Sequence, residues 1–338
     1  MVRRRSLLNR LDLHVHLCGL GAGDTGCRLS AAMRRHWTFL ILRRLLGLHL
    51  EHVRGREDEH YLLQLVETVR DARHIDRVAL FALDGVYGTD GSMDLMRSHM
   101  VVPNATVIRA CLAHPECLPV ISVNPDRPDA LEELARWGEQ AIALKWLAPL
   151  QRFRLDARRH RAFIHMLSDL ELPVIAHSGC EHTFPGVDQA LGDPLLYEPL
   201  LAAGVTVIFS HCGTGSLLKP WMDRSSAFIE MLRRYDHAFG DSAAFSSLVR
   251  AGYARRFRQF EGRILHGSDY PVPPMSMGFA RELGWSELRE LVAIANPLDR
   301  DAAIKHALGF HRDHFEVGHQ ILAKRIARWD TWRANQGA

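Results

Sequence analysis

The chain alternates short apolar runs with longer amphipathic stretches. Eight runs read as strands: "LDLHVH" (11–16), "RVALFAL" (77–83), "LPVISV" (118–123), "AIALKW" (141–146), "LPVIAH" (172–177), "VTVIFSH" (205–211), "HAFGDS" (237–242) and "RILHGSD" (263–269). Each is followed by polar or glycine-containing residues. Segments such as 58–72, 127–140 and 157–171 then place apolar residues at helical spacing. Strands alternating with helices predict a parallel sheet, and eight repeats predict an α/β chain folded as a (β/α)8 TIM barrel.

Two stretches interrupt this rhythm. Residues 17–57 form a long insertion after the first strand, and "YPVPPMSMGF" (270–279) is a proline-rich loop after the eighth. Both leave the carboxyl ends of strands, where barrels carry their sites, so both are placed to close over a substrate. Within the insertion, "WTFLILRRLLGLHL" (37–50) predicts an amphipathic helix that is buried or covers a pocket. Arg43 and Arg44 interrupt it short of the roughly 18 apolar residues of a spanning helix. Extra C-terminal helices follow residue 280: one ends at Asn296-Pro297, one stops at Gly309, and a third runs toward the C-terminus. No linker or shift in composition divides the chain, so residues 1–338 are expected to form one domain.

Composition narrows the partners. The 338 residues, 47% hydrophobic, are enough for one large barrel or two ordinary domains. A net charge of +3, with no basic block beyond "RRR" at 3–5, argues against nucleic acid and toward a small-molecule substrate. The N-terminal residues lack the apolar run and cleavage site of a signal peptide, so the expectation is a cytoplasmic protein with no membrane partner. A homo-oligomer is compatible with this pattern. The six cysteines (18, 27, 111, 117, 180, 212) form no Cys-x-x-Cys pair and are expected as reduced thiols. Cys18, Cys180 and Cys212 stand beside histidines of interest. Small packing residues at strand ends are the favoured reading for them, with zinc ligation as the alternative.

The strand ends carry the candidate chemistry. In the first strand Asp12, His14 and His16 alternate with Leu11, Leu13 and Val15, so one face presents two imidazoles, which points to a metal. With 20 histidines in the chain, one such pair is also expected by chance. The other strand ends offer Lys145, His177, His211 and Asp269, and barrel closure brings all of them to one rim. Lys145 is one of only four lysines among 42 basic residues. It is either a neutral amine open to carboxylation, a partner of a buried acid, or a direct substrate contact. His177 and His211 read singly as core histidines, and together with the others as ligands.

Through "LDLHVH", "ALKW", "VIAHSG", "VIFSHCGTG", "HGSDYP" and "NPLDRDAAIKHALGF", the chain resembles the amidohydrolase superfamily, and most closely its amidohydrolase family 2 branch. The resemblance implies that His14, His16 and Asp269 ligate one divalent metal and that His177 and His211 ligate a second. Lys145, carboxylated by carbon dioxide, would bridge the two. Imidazole and carboxylate suit zinc or a similar first-row ion, and one or two such ions generate a hydroxide near neutral pH. Asp269 is then the residue that shuttles its proton. Asp84, Glu181, His182, Arg152, Arg154 and Asp241 are weaker candidates for substrate contact, with loop capping or surface ion pairs as the alternative. Many members of the branch have one metal, lack the strand-four lysine and use the strand-six histidine as an acid or base. This chain has that lysine, which points to the two-metal arrangement, so the expected activity is hydrolysis of an amide, lactone or other ester. The rivals are a mononuclear decarboxylase or hydratase and a metal-binding barrel without turnover.

Overall fold

The structure is a computed structural model that describes residues 9–336. Its core is an eight-stranded parallel sheet in sequential order: β1 Leu11–His16, β2 Arg77–Phe81, β3 Cys117–Ile121, β4 Ala143–Trp146, β5 Val174–His177, β6 Val207–Ser210, β7 Ala238–Asp241 and β8 Ile264–Leu265. The sheet curls until its two ends meet. The Leu13 N–H donates to the His266 carbonyl, Asp269 N–H to the His14 carbonyl and His16 N–H to the Tyr270 carbonyl, each at 2.9 Å. These bonds close a (β/α)8 barrel, as the pattern of runs predicted.

All eight expected strands are present, and most are shorter at one or both ends than their apolar runs. The eighth differs most, ending at Leu265 rather than at residue 269. Asp269 adopts φ 69°, a left-handed conformation that a strand cannot contain, and Ser268 N–H is taken by the Asp12 carboxylate at 2.9 Å. The expected helices 58–72, 127–140 and 157–171 are found as Glu57–Asp71, Ala130–Trp137 and Arg161–Asp169. The C-terminal helices are Trp285–Ala293, Pro297–Ala307 and His314–Gln336. Gly309, at φ 95°, follows the second of these.

The long insertion is organised rather than loose. Residues Arg28–Leu29 pair antiparallel with Met100–Val101, tying it to the loop after β2, which the run pattern did not anticipate. Asp58 accepts from Leu20 N–H at 2.6 Å, Gly21 N–H at 3.1 Å and the Thr25 hydroxyl at 2.7 Å, fixing the start of the insertion to helix Glu57–Asp71. The stretch expected as a helix over 37–50 is helical over Trp37–Leu45. No residue of that helix is fully buried, so it covers a pocket rather than entering the core.

The last helix seals the opposite end of the barrel. Arg325, buried, donates from Nε to the Ala141 carbonyl and from Nη1 to the Leu170 carbonyl, both at 3.0 Å, and also reaches the Gly138 carbonyl. Those carbonyls lie just ahead of β4 and β5, so one guanidinium satisfies backbone that would otherwise be buried unpaired. Arg325→Met is expected to cost about 2–4 kcal/mol, because truncation strands several buried acceptors. Urea unfolding followed by circular dichroism checks this, and an unchanged midpoint would show that the arginine does not hold this end together.

Candidate active site at the carboxyl rim

The first strand is not regular where it reaches the rim. Its pairing with β2 slips between Asp12, opposite Val78, and Val15, opposite Leu80. The resulting bulge re-aims the side chains around His14. Gly267 makes room for it, since a Cβ there would stand 2.7 Å from that of His14.

His14 is held by Asp241, whose Oδ2 lies 2.7 Å from Nδ1, while Oδ1 accepts from the N–H groups of His211 at 2.8 Å and Ala243 at 3.1 Å. Asp241 is wholly buried, so its role is neither a loop cap at the surface nor an exposed ion pair; it braces both histidines from below. His211 and Cys212 are left-handed, at φ 58° and 53°, a strained pair for residues with side chains. The Asp241 carboxylate and the Ser178 hydroxyl, which accepts from Gly213 N–H at 2.9 Å, hold this turn in place. The β5 loop approaches it closely at Gly179, φ 83°, where a Cβ would fall 2.2 Å from the Thr214 carbonyl oxygen.

These contacts assign the protons. Nδ1 of His14 faces a carboxylate and Nδ1 of His211 faces the Ala243 carbonyl at 3.0 Å, so in the neutral ring each carries its proton there and turns a bare Nε2 away from that partner. Nε2 of His14 then lies 3.3 Å from Asp269 Oδ1, lone pair against carboxylate. That oxygen is also 3.1 Å from His16 Nε2. Ligand atoms of His14, His211 and Asp269 all fall within 4.8 Å of one another. A divalent cation resolves such a meeting of lone pairs, and these residue types fit one.

Electrostatics agree with that fit. Burial, with the Lys145 ammonium nearby, holds His14 and His177 well below the ordinary imidazole range, and burial with Arg250 does the same to His211. Burial raises the Asp269 carboxyl, but His14, His16 and Arg250 outweigh it and keep the group below its usual value. The rings are therefore neutral and the carboxylate ionised, the forms that ligate metals. Nε2 of His177 is buried without a hydrogen-bond partner, and its nearest acid is Glu181 at 3.7 Å. The Lys145 amine donates to the Ser210 hydroxyl at 2.7 Å and lies over the Phe81 ring, and burial pushes it down to about 8.

His16, Lys145, His177, Glu181, His211 and Asp269 line one pocket, with His14 just beneath. The remaining candidates lie elsewhere. Asp84 accepts from Gly85 and Asn124 N–H and from the Tyr87 hydroxyl, and pairs with Arg127, bracing its own loop. His182 is half-buried outside the pocket lining, while Arg152, bonded to the Gly186 carbonyl, and Arg154 are exposed. All six cysteines are free. Cys212 donates to the Asp241 carbonyl at 3.1 Å, and Cys180 contacts the Met222 sulfur at 3.5 Å. Two contributors escaped sequence reasoning. Ser210 receives the lysine, and Arg250, buried, donates to carbonyls of Thr214, Gly215 and Cys180, joining the β5 and β6 loops. No motif marks either residue.

A parallel barrel with histidines and an aspartate gathered at its carboxyl rim defines the architectural class of the amidohydrolase enzymes. The chain belongs to the amidohydrolase family, whose model matches residues 11–308. No curated protein sequence matches it. Similar solved structures include a TIM-barrel protein from Bordetella bronchiseptica at 17% identity, covering 94% of this chain and 99% of that one, with a TM-score of 0.57. The 4-oxalomesaconate hydratase of Rhodopseudomonas palustris is 13% identical, with 97% and 100% covered and a TM-score of 0.52. A protein assigned as a 2-pyrone-4,6-dicarboxylic acid hydrolase from Pseudomonas putida is 14% identical, with 94% and 98% covered and a TM-score of 0.51. At these identities the likeness is one of fold.

If Asp241 orients the two rings, Asp241→Asn should weaken divalent-metal binding by about 10–100-fold, the usual cost of losing a partner behind a ligand. Competition against a chromogenic chelator measures this. Unchanged affinity in a folded variant would deny the residue that role.

Proposed function

We propose that the protein is a metal-dependent hydrolase that opens an amide, lactone or other ester bond of a small molecule, acting in the cytoplasm, where its free thiols are stable. The observation that carries this reading is the meeting of unprotonated Nε2 atoms and an ionised carboxylate at the pocket floor. His14, His16, His211 and Asp269 would hold a divalent ion, zinc or a first-row relative. His177 and Lys145, on the same floor, supply enough further donors for a second. Bound there, such an ion supplies Lewis acidity, activating water and polarising a carbonyl.

The chain's own groups do the rest. Asp269, ionised and open to the pocket, takes the proton of the attacking water and returns it to the leaving group. Asp241 keeps His14 and His211 in the tautomers that face inward. The apolar walls exclude competing water, which strengthens every charge interaction at the floor.

A second reading is a mononuclear lyase with Asp269 and His211 handling protons. It is favoured by one feature: the compact ligand set is a single trio, and Lys145 is engaged with Ser210. Turnover of a panel of lactones, esters, amides and carboxylic acids in ¹⁸O-labelled water separates the two. Hydrolysis places label in the product carboxylate; release of carbon dioxide without label would establish the lyase. Lys145→Arg keeps the charge but cannot form a carbamate, so the two-ion reading expects it to lose half the bound metal and most activity. Full metal content with normal turnover would leave only the one-ion site.

A further inference from the structure

Above its polar floor the pocket is walled by hydrocarbon. Phe39, Leu42 and Leu46 come from helix Trp37–Leu45 and the turn that follows it, while Met100, Leu147 and Phe184 come from loops after β2, β4 and β5. Outside the floor, Arg43 is the single cationic side chain of the lining. It is half-buried, and its guanidinium makes no hydrogen bond or ion pair to any described residue. The wall around this cation is apolar and offers it no partner on the chain, so an anionic group of a ligand would be its counter-charge.

We propose that the pocket takes an amphipathic substrate: an alkyl or aryl body against the insertion helix, one anionic group paired with Arg43, and the scissile bond at the floor. Only the last placement rests on the hydrolase reading. Predominantly apolar walls with a few convergent polar groups are the usual make-up of a small-molecule site, and this lining has that make-up.

The outer face of the same helix sets a condition on any test. Trp37, Leu40, Ile41 and Leu45 are exposed, Leu45 by 60%, so an apolar probe has two faces to choose from. Calorimetric titration of the full-length, metal-loaded protein with butyl, hexyl and octyl sulfate reads binding without turnover, through a headgroup that competes poorly for metals. Affinity should rise about fourfold per methylene, the value of burying one CH₂. Arg43→Gln should weaken octyl sulfate about tenfold and leave octan-1-ol unchanged. Leu42→Asp should abolish binding, whereas Leu45→Asp should not affect it.

A flat chain-length series or an unaltered Arg43→Gln variant would overturn the proposal. So would loss of binding in Leu45→Asp with retention in Leu42→Asp, which places the probe on the outer face. Because no bond is broken in these titrations, failure of the labelling experiment would leave this result standing, and the reverse holds too.

Discussion

Closure of β8 on β1 is the constraint from which the site follows. Asp269 stands 253 residues beyond His16 in the chain, yet their side chains lie 3.1 Å apart because the two terminal strands share backbone hydrogen bonds. The same closure brings β7 around to β1, so that Asp241 reaches His14. Open the barrel at that seam and the imidazoles of β1 lose both carboxylates. The structure invests in the seam accordingly. Asp12 accepts from Ser268 N–H at 2.9 Å and His14 N–H at 3.1 Å, and Lys305 donates to the Gly267 carbonyl at 2.6 Å and to Asp301 at 2.7 Å. These buried polar bonds lie under the strained Asp269 turn, and they fix its direction where hydrophobic packing, which has no direction, could not.

That polar support has an electrostatic consequence at the rim. Burial, with the positive charge of Lys145 and Lys305, keeps His14 neutral, and burial with Arg250 does the same for His211. A neutral ring with one nitrogen already donating has a single lone pair to offer, aimed by the partner behind it. The rim is thus arranged by what lies beneath it, with His14 and His211 each aimed by the partner behind the ring.

The strands and their terminal residues were legible because buried parallel strands leave an apolar signature, and because a charged or imidazole residue at the end of such a run has few reasons to be there. His14, His16, Lys145, His177, His211 and Asp269 were all found this way, and the fold places them in one neighbourhood. Asp241 was visible but read as a minor residue: one aspartate at a strand end looks like any loop cap, and only the spatial meeting of β7 with β1 separates the two cases. Arg250 and Ser210 carry no pattern at all, since their partners are backbone carbonyls and a lysine far away in sequence. The bulge in β1 and the left-handed turn at His211 are likewise tertiary outcomes, set by neighbours rather than by local preference.

The insertion helix illustrates a different limit. Its sequence is apolar around most of its circumference, so periodicity could say that it was partly buried but not which face was inward. In the fold it is fastened by few polar contacts: Thr38 donates to the Thr183 carbonyl at 2.6 Å, and Arg34, in the short helix Ala31–Arg35 just ahead of it, bonds to the Leu20 carbonyl. The inward face instead meets the pocket through Phe39, Leu42 and Leu46. Held mainly by apolar contact, which has no direction, this cover takes its position from the surfaces it meets, whereas the groups of the floor are fixed by directional polar bonds beneath the rim.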